Sequence, residues 1–136
     1  MKALIPSFTT PDLVRCLAFY RDGLGFTCTS ELPGESDAQT PGWVELTSGP
    51  VRLMLLAAEP GAPADARYDA PGGIFYLEVD SLAVTRARLA RFGVPLPDSE
   101  VTFYGMRECS LKDPDGRQLT LAEPSDEEEP VTVSTL

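Results

Sequence analysis

The chain has no histidine, so no imidazole is available to ligate a metal. Its three cysteines, Cys16, Cys28 and Cys109, are far apart and odd in number. That pattern argues against a disulfide framework or a zinc site and for reduced thiols in a cytoplasmic protein. No apolar run approaches membrane-spanning length, and the first residues, Met1 to Pro6, lack the apolar core of a signal peptide. Basic residues are scarce: 11 Lys and Arg stand against 21 Asp and Glu, for a net charge of −10. Such a balance rarely provides the basic face that phosphate binding needs, which excludes nucleic acid and favours a cationic small molecule. Part of the acidity lies in residues 124–136 and the glutamate before them, a stretch that reads as a disordered tail. Removing the five acids from Glu123 to Glu129 leaves the remainder at about −5, still acidic.

At 136 residues the chain is long enough for one compact domain, or for two half-domains sharing a core. Lys2 to Thr9 reads as a strand. Thr10 is placed to cap a helix with Pro11 at its first position, and Leu13, Cys16, Leu17, Tyr20 and Leu24 fall on one helical face. Strands follow at Phe26–Leu32, Trp43–Ser48 and Val51–Ala57. The segment 58–72, with three prolines and little periodicity, reads as a linker. The order then repeats. Gly73 to Val79 is a strand, Asp80 or Ser81 caps a helix ending at Phe92 and Gly93, and three strands follow at Ser99–Phe103, Met106–Leu111 and Gln118–Ala122. The last two flank Lys112-Asp113-Pro114-Asp115-Gly116, whose proline and glycine supply tight-turn chemistry. Asp12 precedes Gly25 by the same thirteen positions that separate Asp80 from Gly93, which implies an internal duplication. The expected fold is α+β, with a β-α-β-β-β module over 1–57 and a second over 73–123.

Strand alternation sorts the side chains into two sets. Val44, Leu46, Leu53, Leu55, Phe75, Leu77, Cys109, Leu111, Leu119 and Leu121 form a core set, and all three cysteines are expected in apolar surroundings. Trp43, Glu45, Arg52, Met54, Tyr76, Glu78, Glu108 and Thr120 point the other way, and Tyr104 stands at the mouth of the last hairpin. That second set mixes aromatic rings with three carboxylates and one arginine, and it suits a cationic, partly planar ligand. Structural readings stand beside it. Trp43 can cap the edge of a core, Arg52 can pair with Glu45, and Tyr104 can anchor its loop. Phe19 and Tyr20 read as helix packing.

Over residues 3–123 the chain resembles the glyoxalase/bleomycin-resistance/dioxygenase group, the vicinal oxygen chelate superfamily. The resemblance rests on Thr10-Pro11-Asp12-Leu13, Phe19-Tyr20-Arg21-Asp22-Gly23-Leu24-Gly25-Phe26, the Trp43-to-Leu56 hairpin, Phe75-to-Asp80, Tyr104-Gly-Met-Arg-Glu and Asp113-Pro-Asp-Gly. It implies two β-α-β-β-β modules whose curled mixed sheets wrap a cleft. The group's metalloenzymes place one ligand on each of four strands, and the corresponding positions here are Ile5, Met54, Ile74 and Thr120. The resemblance therefore implies a metal-free member without a cofactor, nearest to the bleomycin-resistance type. Those proteins are homodimers that sequester a cationic drug without altering it. Two alternatives remain open at this stage. One is a metal-independent isomerase or lyase with Glu45, Glu78 or Glu108 as base, and the other is an all-carboxylate Mg or Mn site.

Overall fold

A computed structural model of the chain describes residues 1–35, 37–59 and 73–126. Most of the expected linker and most of the expected tail lie outside those residues. The chain divides into two units, Met1–Gly72 and Gly73–Leu136.

In the first unit the chain runs through β1 (Ser7–Thr10), α1 (Leu13–Ala18), a π-helical turn (Phe19–Gly23), β2 (Thr27–Pro33), β3 (Pro41–Ser48) and β4 (Val51–Ala57). These strands form a mixed sheet ordered β1-β4-β3-β2, with β1 parallel to β4 and the other pairs antiparallel. The second unit repeats the plan with β5 (Ile74–Glu78), α2 (Leu82–Phe92), β6 (Glu100–Val101), β7 (Met106–Lys112) and β8 (Gln118–Pro124), ordered β5-β8-β7-β6. This is the α+β architecture of two repeated modules that the alternation and spacing imply.

Each sheet buries one face. Phe8, Val44, Leu46, Leu53 and Leu55 are buried in the first unit with Leu13, Cys16, Leu17, Phe19 and Tyr20 of the helical segment. The Phe19 and Tyr20 rings meet edge to face at 5.1 Å, so this pair is helix packing as expected. Cys109, Leu119 and Leu121 are buried in the second unit with Leu82 and Leu89 of α2. Burying side chains of this size stabilises each unit by roughly 1.5–3 kcal/mol per residue before conformational entropy is counted.

Several boundaries differ from the sequence expectation for local reasons. β1 begins at Ser7, because Pro6 has no N–H to donate and contributes only its carbonyl, which accepts from Met54 N at 2.9 Å. The cap of α1 is Asp12, whose side chain accepts from Arg15 N at 3.1 Å. Thr10 instead accepts from Asp12 N at 3.2 Å, one step earlier, and Pro11 precedes the helix. The strand expected at Ser99–Phe103 contracts to Glu100–Val101, because Thr102 N turns to Met106 O at 2.7 Å. Cys28 is half-buried, contrary to expectation. It sits on the edge strand β2 beside a register shift, where the alternation that would bury it is interrupted.

At the N-terminus of α2 the Ser81 side chain accepts from Val84 N at 3.1 Å, and Gly93 ends the helix at φ 100°. A second cap comes from far along the chain, since Glu123 Oε2 accepts from Leu82 N at 2.8 Å. The hairpin tip is tied inward. Asp113 Oδ1 accepts from Asp115 N and Arg117 N, both at 2.9 Å, while Arg117 Nη1 donates to Asp113 Oδ2 at 3.0 Å and to Asp115 Oδ2 at 2.9 Å. Both Asp113 and Arg117 are buried.

Candidate ligand-binding site

The face of each sheet opposite the helices carries the residues singled out from the sequence. On the second sheet Tyr76 pairs with Thr120 and through it with Ser110, and Glu78 pairs with Ala122 and through it with Glu108. Tyr76 and Glu108 are thus diagonal, with β8 between them. The phenol crosses β8, where Ala122 presents only a methyl group, and donates to Glu108 Oε2 at 2.6 Å. Tyr104, in the turn before β7, donates to the same oxygen at 2.5 Å. One carboxylate oxygen is therefore shared by two phenols, one from β5 and one from the turn before β7.

The electrostatics follow from that geometry. Desolvation pushes the Tyr76 phenol above its ordinary value, and the Glu108 hydrogen bond adds to the effect. For Tyr104 the hydrogen bond to Glu108 is the larger cause. Both phenols stay protonated and keep donating at neutral pH. Among the described residues no Lys or Arg pairs with Glu108. The aromatic surface around it is open: Tyr76 is 45% exposed, Tyr104 53% and Phe103 54%. Phe103 stands edge to face against Tyr104 at 5.0 Å. It escaped the sequence reading, and the only signal was its position next to Tyr104. Glu78 is exposed beside this cluster, whereas Thr120 is buried with its hydroxyl 3.1 Å from that of Ser110.

The first sheet treats its carboxylate differently. Glu45 pairs with Met54, and Thr47 with Arg52. Arg52 reaches diagonally to place Nη2 2.7 Å from Glu45 Oε2, and Thr29 Oγ1 donates to the other oxygen at 3.2 Å. The arginine holds Glu45 below its ordinary value, so this carboxylate is compensated. Arg52 therefore has the structural partner that the sequence allowed. Met54 is half-buried between Ser7 and Glu45. Trp43 lies opposite Leu56, farther along the same face, and lines a cavity of about 380 Å³ at the end of this sheet.

The model of the glyoxalase/bleomycin resistance protein/dioxygenase superfamily matches residues 5–121. The chain belongs to this superfamily. Several solved structures share the fold. A bleomycin resistance determinant encoded on the transposon Tn5 is 24% identical, with a TM-score of 0.65, over 93% of this chain and 100% of that one. An antibiotic-binding protein from a Streptomyces species is 25% identical, with a TM-score of 0.61, over 90% and 97%. A lactoylglutathione lyase from Agrobacterium tumefaciens is 24% identical, with a TM-score of 0.62, over 89% and 92%. No curated protein matches the chain by sequence.

The superfamily's metal-binding positions can be tested against the side chains present. Two residues before the Ser7–Met54 pair stands Ile5, and two before the Tyr76–Thr120 pair stands Ile74. The set is two hydrocarbons, a thioether and a buried hydroxyl, with no carboxylate and no imidazole. It does not fit a divalent cation. Among the described residues no group of three or more His, Cys, Asp or Glu side chains is placed to hold a metal ion. No described helix is long and apolar enough to cross a membrane.

Proposed function

We propose that this chain is a metal-free binding protein that sequesters a cationic, partly aromatic small molecule without transforming it. The observation that carries the reading is Glu108, an uncompensated carboxylate held by Tyr76 and Tyr104 on an open, aromatic sheet face. An ammonium or amidinium group placed there would meet one full negative charge and the faces of neighbouring rings. Glu78 adds charge nearby. Support comes from the superfamily, whose structures include a bleomycin resistance determinant and an antibiotic-binding protein. In this reading the protein is a cytoplasmic homodimer whose partner chain helps cover the ligand, with no nucleic acid or membrane partner. Light scattering then gives twice 14.7 kDa.

The test is calorimetric titration with a panel of cationic glycopeptide and polycyclic antibiotics, followed by mass spectrometry of the recovered drug. Saturable binding with unchanged drug is the expected result. No binding across the panel would overturn the reading. Accumulation of a product would replace it with the metal-independent enzyme.

A further inference from the structure

We infer, resting on the reading of Glu108 as the seat of a cation, that Glu100 is a further specificity-determining residue of that site. Its charge loosens the pairing of β6 in the free protein, and β6 tightens when a cation neutralises Glu108. In the β6–β7 ladder Glu100 stands directly opposite Glu108, and Val101 opposite Arg107. Directly opposed residues of an antiparallel pair share a face, with Cβ atoms about 5 Å apart. Glu100 is exposed and Val101 half-buried, as that alternation requires. Tyr76 of β5 reaches Glu108 from the β8 side of the sheet, and Glu100 faces it from the β6 side. A cation seated on Glu108 thus meets a second negative charge across the strand pair.

Like charges directly opposite one another are unfavourable in a sheet. Here they fall on an edge strand of two residues, so a small electrostatic cost is a large share of its pairing energy. The turn beyond β6 is pinned separately. Gly105 N donates to Thr102 O at 3.1 Å, and Ser125 N, past the end of β8, donates to Gly105 O at 2.8 Å. Between turn and strand, Thr102 N donates to Met106 O at 2.7 Å and Met106 N to Thr102 Oγ1 at 3.1 Å. The repulsion therefore acts on β6 and its Thr102 junction, while the turn that carries Tyr104 stays in place.

Two unit charges some 6–8 Å apart in water shift an equilibrium by about two- to three-fold. Removing the Glu100 charge should favour the paired state of β6 by that factor. Reversing the charge doubles the free-energy change and squares the factor, to about five-fold or more. A cation on Glu108 acts in the same sense from the other strand. By linkage, the factor by which the cation favours closure of β6 is the factor by which closure raises the cation's affinity. A neutral ligand of the same shape gains nothing from Glu100, so the residue sharpens the choice of a cation over its neutral counterpart.

Amide hydrogen exchange at Thr102, whose N–H bridges the β6–β7 junction, reports the opening of β6 in full-length ¹⁵N-labelled protein. At about 0.01 M salt, Glu100→Gln should slow Thr102 exchange about two- to three-fold and Glu100→Lys about five-fold or more, with exchange in β3 unchanged. At about 1 M salt, where the Debye length is about 3 Å, both effects should largely disappear. In a Glu108→Gln background the effect of Glu100→Gln should vanish, because the pair is already broken. Wild type and Glu100→Gln are then titrated with benzamidinium and with neutral benzamide. Benzamidinium should slow Thr102 exchange in wild type and bind it about two-fold or more tighter than the variant, while benzamide should bind the two alike. Unchanged Thr102 exchange in both Glu100 variants, or an effect that survives in the Glu108→Gln background, overturns the inference and leaves the Glu108 reading standing. Equal benzamidinium affinity in wild type and Glu100→Gln overturns it as well. If the exchange effects appear as expected and benzamidinium binds neither protein, the coupling of Glu100 to Glu108 stands and the reading of Glu108 as a cation seat falls.

Discussion

Replacing Asp113 with alanine should destabilise the protein strongly, although the residue stands in a turn. The side chain is fully buried and accepts hydrogen bonds from two backbone N–H groups and from the Arg117 guanidinium. Its removal takes an acceptor from the Asp115 and Arg117 N–H groups and from a guanidinium that is itself 2% exposed and also touches the Asp115 carboxylate. Breaking a buried ion pair by deleting one partner costs about 3–5 kcal/mol, and the surviving Asp115 contact places the expected value near the lower end, about 3 kcal/mol. Asp113→Asn keeps an oxygen for the two N–H groups but turns an NH2 donor, in place of the charged acceptor, towards the Arg117 guanidinium, so about 2 kcal/mol is expected. Asp115→Asn, at a partly exposed carboxylate, should cost under about 1 kcal/mol. Urea unfolding at neutral pH measures all three. With a slope near 2 kcal/mol per molar, Asp113→Ala should lower the midpoint by about 1.5 M without changing the slope. A buried pair is weakly screened, so about 1 M salt should leave the difference nearly intact. A cost below about 1 kcal/mol, or one halved by salt, would refute the claim that this pair anchors the turn.

Once a cationic ligand has been found, Glu108→Gln should weaken it most at low salt, and Trp43→Ala should weaken any ligand stacked on the indole about equally at low and high salt. Calorimetry at both ionic strengths separates the two. The raised phenols of Tyr76 and Tyr104 contribute stability that is complete below the ordinary tyrosine value of 10 and is lost as pH rises through their elevated values. Because the Glu108 hydrogen bond is the largest cause for Tyr104 but desolvation is for Tyr76, Glu108→Gln should return Tyr104 towards 10 and move Tyr76 less; ¹³C-tyrosine spectra across the alkaline range give both titrations. Elemental analysis after gentle purification should find no stoichiometric divalent metal, and one equivalent of Zn, Fe, Ni or Mn surviving dialysis would contradict the donor-set reading.

Much of this fold is legible locally because its signals act over a few residues. Alternation along β3, β4 and β8 assigns Val44, Leu46, Leu53, Leu55, Leu119 and Leu121 to the core, and all six are buried. Ser81 caps a helix that Gly93 ends, since both effects lie within one turn of the helix terminus. The repeated order of elements carries the strand order within each sheet with it. Which residues share the face opposite the helices is likewise a matter of period two.

What those residues do to one another depends on register across strands distant in the chain. Glu45 and Glu108 look alike in sequence, yet one meets Arg52 two positions along the neighbouring strand and the other meets two phenols. Tyr76 reaches Glu108 over 32 positions of chain because β8 lies between them and carries alanine at the crossing. The Asp113-Pro-Asp-Gly turn is readable as a turn, but the burial of Arg117 against it is not. Likewise Glu35 and Glu59 come to one cavity only because the β2–β3 loop closes back on the end of β4. Burial and charge compensation are sums over neighbours in space, so the sequence alone determined which faces carry carboxylates, and only the tertiary structure decided which of them remain uncompensated.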